Sequence, residues 1–111
     1  MNNQVEWKTR FEHEIATAEQ ARTRNNEGMA RVCARRAAGI VIAEFLARRG
    51  NQARKPSAIE QLRYLINLPD LDETTRQTAA HFLIHLDKEH HLPVDADLVA
   101  EARWLAQDLL G

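Results

Sequence analysis

Cysteine, proline, glycine and aromatic residues are all scarce in this 111-residue chain: one Cys, three Pro, four Gly, two Trp, one Tyr and three Phe. The lone Cys33 excludes an internal disulfide framework, a CxxC redox pair and a four-thiolate zinc site. Few prolines and glycines leave few places for the chain to turn, which favours long uninterrupted elements. No apolar run approaches the ~20 residues of a membrane span. The opening MNNQVEWK lacks the apolar core of a signal peptide, which points to the cytoplasm and away from membranes. Charge of one sign is lacking too, with 15 Lys and Arg against 16 Asp and Glu. Net charge therefore gives no argument for nucleic-acid binding.

What is present is helical periodicity. The breaks fall at Asn25-Asn26-Glu27-Gly28, at Gly50-Asn51-Gln52 with Pro56 following, at Leu68-Pro69-Asp70 and at Leu92-Pro93-Val94-Asp95. Between them no segment alternates as a strand would. A first helix over residues 3–24 carries Trp7, Phe11, Ile15 and Ala18 on one stripe, as an amphipathic surface helix does. A second, over 28–49, is apolar all round from Ala37 to Ala43, the mark of a helix packed on several sides. Gly50 suits its C-cap, and Arg48 and Arg49 suit the negative end of its dipole. Ser57 and Glu60 form a capping box for a third helix, with Ile59, Leu62 and Ile66 as its buried stripe and Leu65 beside it. A fourth runs from Asp72 to about Glu89 with Thr75, Ala79, Phe82, Leu83 and Leu86 inward. A fifth starts from Asp95 as N-cap and buries Leu98, Ala102, Leu105 and Leu109. Short connections favour antiparallel neighbours. The expectation is a single all-α domain, residues 1–111, folded as an antiparallel up-and-down bundle of four to five helices.

Charge is distributed unevenly along the chain. Residues 1–56 hold 11 Lys and Arg against 6 Asp and Glu, a balance of +5; residues 57–111 hold 4 against 10, a balance of −6. Either the basic hairpin neutralises the acidic helices, or its arginines Arg31, Arg35 and Arg36 converge outward on phosphate.

Most catalytic chemistry lacks its parts. His81 and His85 have metal-binding i, i+4 spacing, but Phe82 stands where a zincin needs its glutamate, and no cysteine lies near. No metal and no cofactor is expected. A helix-turn-helix around Pro69 would open its reading helix on Asp70, Asp72 and Glu73, which repel phosphate. Cys33, among Val32 and alanines, reads as inert core. One pair remains, Arg76 and His81. An arginine near a helix N-terminus can hold phosphate through its planar fork, and a histidine can move a proton at neutral pH. Together they suit attack of an RNA 2′-hydroxyl on its neighbouring phosphate. Residues five apart differ by about 140° around a helix. Arg76 should border the apolar face and His81 point away from it, so a working site needs a second surface, such as a dimer partner.

The stretch Asn26-Glu27-Gly28-Met29-Ala30-Arg31-Val32-Cys33-Ala34-Arg35-Arg36-Ala37-Ala38-Gly39, with the packed half that ends at Arg48-Arg49-Gly50, resembles small HEPN-like domains (higher eukaryotes and prokaryotes nucleotide-binding). The resemblance implies an all-α bundle on a long helical hairpin with shorter helices behind it. It also implies a homodimer. The family's functional signature is Arg-x4-6-His, usually with Asn, Asp or His after the arginine; active members use it across a dimer as a metal-independent ribonuclease. Arg76 and His81 match that spacing, but Gln77 departs from the usual residue. Many members lack catalysis and act as partners of other proteins, including nucleotidyltransferases in toxin–antitoxin pairs. The expected function is thus a non-catalytic dimeric module that binds nucleotide, RNA or a partner protein. The alternative is the ribonuclease.

Overall fold

Five helices make up the regular structure in a computed structural model of the chain, which describes residues 3–50, 57–84 and 96–111. They are α1 (Asn3–Thr23), α2 (Glu27–Arg48), α3 (Ala58–Ile66), α4 (Glu73–His81) and α5 (Leu98–Leu110). Among the described residues there is no strand. The all-α expectation holds, and among the described residues no helix is long and apolar enough to cross a membrane.

The α1–α2 turn shows how little sequence a helix reversal requires. Asn25 takes the left-handed conformation, φ 61°, which Asn tolerates better than most residues. The Asn26 N–H then returns to the Ala21 carbonyl at 2.8 Å and the Asn25 N–H to Arg22 at 3.0 Å, closing the last turn of α1. The Asn26 side chain accepts from the Met29 N–H at 3.1 Å and opens α2. At the far end of α2, Gly50 is left-handed, φ 80°, as the sequence suggests.

α2 is the central helix and packs against α1, α3 and α5. Phe11, Ile15, Ala18 and Ala21 of α1 are buried with Ala30, Cys33, Ala34, Ala37, Ala38, Val41, Ile42 and Leu46 of α2. The run of small residues lets neighbouring backbones come close. At Gly39 the approach is tightest: an added Cβ would lie 2.8 Å from the Ala58 Cβ and 3.0 Å from its Cα. α3 therefore begins against bare backbone at mid-length of α2. It finishes beside the last turn of α2, where Arg49 reaches Asp70 at 2.9 Å. Its direction follows α2, so strict up-and-down order fails at this step.

α4 and α5 run antiparallel, tied by Thr75 Oγ1 donating to Asp108 at 2.6 Å and by His81 facing Glu101 at 3.0 Å. α4 is shorter than the periodicity suggests. It ends at His81, where Phe82 and Leu83 turn back on Ala79 and Ala80. The rest of the expected helix, with His85, Leu86 and Glu89, lies outside the described residues, as do Pro56, His90, His91 and the expected N-cap Asp95. α5 is capped by Asp97, which accepts from the Val99 N–H at 3.1 Å and the Ala100 N–H at 3.2 Å. On α3, Leu62 and Leu65 are buried as expected, but Ile59 is exposed and Gln61 is buried in its place. Contact with Gly39 through Ala58 rotates the buried face of α3 toward Gln61.

Arg22 joins three helix ends at once. It donates to Glu27 at 2.8 Å and to Asp97 at 3.0 Å, linking the end of α1, the start of α2 and the cap of α5. Burial pushes the Asp97 carboxyl up, but Arg22 and the Ala100 and Val99 N–H groups outweigh it and hold it below the ordinary value.

Two predictions come from this packing. Gly39→Ala should lower the unfolding free energy by about 1 to 2 kcal/mol in urea titration, since overpacking at about 1–3 kcal/mol exceeds a helix-propensity gain near 1. Ala58→Gly in the same chain should recover part of that loss; no recovery would show that the two residues do not collide. Asp97→Asn keeps a capping acceptor and removes only the charge. A carboxyl more acidic folded than unfolded (about 3.9 unfolded) stabilises fully above the unfolded value and loses that contribution as pH falls through the folded one. Stability measured from about pH 5 to 2 should fall less steeply in Asp97→Asn than in the native chain; equal slopes would contradict it.

Candidate functional site

The pair singled out by sequence, Arg76 and His81, sits on α4, and the fold separates its two members. Arg76 turns back over the connection between α3 and α4. Its Nε donates to the Ile66 carbonyl at 3.0 Å, Nη2 to Leu68 at 2.7 Å, and Nη1 to Leu71 at 3.3 Å and to Glu73 at 3.4 Å. These carbonyls belong to the end of α3 and to a turn that passes Pro69, where helical partners run out. One guanidinium replaces them. The fork that would have to grip phosphate is filled by the protein's own backbone.

His81 lies at the other end of α4, half-buried. Its Nδ1 is 3.0 Å from both carboxylate oxygens of Glu101. A carboxylate acceptor places the ring proton on Nδ1 and fixes the plane of the imidazole. His81, expected to point away from the apolar face of α4, instead turns toward α5 of the same chain. Nothing in the sequence pattern marked Glu101. The signal that could have found it is the heptad spacing of Glu101 and Asp108, which puts both on the face of α5 that meets α4.

The three arginines of α2 do not converge on one groove. Arg35 donates from Nε to the Phe82 carbonyl at 3.0 Å, capping the end of α4. Arg31, one turn earlier on the same face, is half-buried and engaged. Arg36 lies about 100° away around the helix and is exposed. Cys33 is buried. Burial raises its thiol pKa, the nearby Glu14 carboxylate pushes the same way and Arg36 opposes them, so it is an inert core thiol. Among the described residues no group of three or more His, Cys, Asp or Glu could hold a metal ion.

One face of α2 stays uncovered. Met29, Val32, Arg36, Ile40 and Ala43 follow helical spacing along it. Met29 is 44% and Val32 37% exposed, while Ile40 and Ala43 are half-buried. Ile59 of α3, next to the Gly39 contact, is exposed beside it. Arg36 stands on this face, and Glu14 of α1 is close enough to Cys33 to act on its thiol; no ion pair of either is found among the described residues.

No protein-family model matches the chain, and comparisons with curated proteins and with solved structures give no match either.

The Arg76 clamp predicts that Arg76→Lys is almost as damaging as Arg76→Ala. An ammonium cannot satisfy three carbonyls in a plane, and each lost charge-assisted bond is worth about 1.5–3 kcal/mol. Both variants should lose about 2 to 3 kcal/mol in chemical denaturation. A lysine variant of native stability would contradict the clamp.

Proposed function

We propose that the chain is a non-catalytic, HEPN-like helical module that associates with a second copy of itself through the uncovered face of α2. The observation that carries this reading is the stripe of Met29 and Val32, each more than a third exposed, on the helix that otherwise forms the centre of the core. A two-fold arrangement brings one patch against its own copy. Arg36 of each chain then meets Glu14 of the other, two charges with no ion pair among the described residues of one chain. The long α1–α2 hairpin with shorter helices behind it supports the HEPN-like reading.

The nuclease reading has less support. Its phosphate-holding arginine would have to release the α3–α4 turn, and its histidine already faces a carboxylate. That carboxylate would repel the phosphate of a substrate.

Sedimentation of the native chain should give a dimer at tens of micromolar. Val32→Glu should give a monomer with unchanged helical circular dichroism. Arg36→Glu should weaken the dimer and Arg36→Glu with Glu14→Arg restore it. A monomeric native chain would overturn self-association. In a parallel assay, native protein, Arg76→Ala and His81→Ala should leave RNA equally intact; cleavage lost specifically with His81 would overturn the non-catalytic reading.

A further inference from the structure

We propose that self-association of this chain is switched by a hydroperoxide, which converts the Met29 thioether on the uncovered face of α2 to a sulfoxide and separates the two copies. This regulation rests on the self-association reading.

The distribution of sulfur directs the oxidant. The chain has two methionines, Met1 and Met29, and one cysteine, Cys33. Peroxide attacks a cysteine as its thiolate. Cys33 is buried, and burial together with the Glu14 carboxylate raises its thiol pKa, so little thiolate forms and none of it is open to solvent. A thioether needs no ionisation, and its oxidation follows exposure. Met29 is 44% exposed, more than Val32 one turn further along α2. Met1 lies outside the described residues.

The step is a two-electron oxygen transfer. The sulfur lone pair of Met29 attacks one peroxide oxygen; the O–O bond breaks as the S–O bond forms. The hydroxyl proton passes to the departing oxygen, so hydrogen peroxide leaves as water and an alkyl hydroperoxide as an alcohol. Sulfur is oxidised and the peroxide is reduced. A flexible apolar side chain thereby becomes a polar one with an acceptor oxygen.

That change falls on the stripe of Met29, Val32, Arg36, Ile40 and Ala43, and a two-fold contact carries it twice. Burying a sulfoxide there costs its hydration unless a donor meets it. The side chains of Val32, Ile40 and Ala43 offer none. Arg36 lies seven residues from Met29, about 10 Å along the helix, and in the assembled pair Glu14 of the other chain engages it. The fold itself does not depend on the thioether. Met29 lies outside the hydrophobic core, and its backbone N–H keeps the Asn26 side chain at 3.1 Å. Because the thioether is open in the single chain and covered in the pair, oxidation proceeds through the dissociated chain and assembly slows it. Methionine sulfoxide reductases restore the thioether, so the switch runs both ways.

Sedimentation equilibrium of the full chain before and after hydrogen peroxide tests this, with peptide mass mapping to locate the added oxygen. Oxygen should appear on Met29 and not on Cys33, more slowly in concentrated than in dilute solution. Dimer affinity should fall at least tenfold with helical circular dichroism unchanged, and recover after treatment with methionine sulfoxide reductases. Met29→Leu, whatever its starting affinity, should show the same affinity before and after peroxide. Met29→Gln, a polar side chain of similar length, should weaken the dimer at least tenfold without any oxidant. A fully oxidised Met29 with native dimer affinity would overturn the switch and leave self-association standing. Loss of the dimer in oxidised Met29→Leu would also overturn it, by moving the effect to Met1 or Cys33. A native chain that is monomeric before peroxide would remove self-association and the switch together.

Discussion

The contact of Gly39 with Ala58 fixes the distance between α2 and α3, and much of the remaining geometry follows from it. Because α3 starts at mid-length on α2, its end and the turn after it arrive beside the last turn of α2. α4 then has to climb back along α5 to reach Arg35. The positions of Thr75 against Asp108 and His81 against Glu101 are consequences of that climb. A bulkier residue at position 39 would displace α3 first and the α4–α5 pairing after it.

The uneven charge along the sequence has an internal use. Arg22 to Asp97 and Arg49 to Asp70 join the basic first half to the acidic second half. Arg35 serves the same purpose without a carboxylate, by taking the Phe82 carbonyl. The ion pairs are partly solvated, so each contributes little alone; they orient helix ends that apolar packing leaves free to slide. Arg36 is different: it is exposed and has no such duty among the described residues.

Helix existence and the inward stripes were legible because they depend on local periodicity. Phe11, Ile15, Ala18, Leu62, Ala79, Phe82, Ala102 and Leu105 are all buried where spacing placed them. The caps at Ser57 and Gly50 were legible because cap chemistry is local. The direction of α3 was hidden, since it depends on a close approach between residues far apart in sequence. Gln61 and Ile59 exchanged roles for that reason. Most hidden of all was Arg76. Its partners are backbone carbonyls, which every residue possesses, so no residue type in the sequence announces them. Glu101 escaped notice because a lone acid on an exposed helix looks like a solubilising charge until the neighbouring helix is in place.

The filled fork of Arg76 also bears on how descent would shape this fold. An arginine that organises a turn through three carbonyls is bound to the architecture, so selection for folding alone would hold it in place across a lineage. His81 has no equivalent anchor to backbone among the described residues and could drift while Glu101 drifted with it. Persistence of the arginine among descendants would therefore record architecture, and only joint persistence of both positions would speak of chemistry.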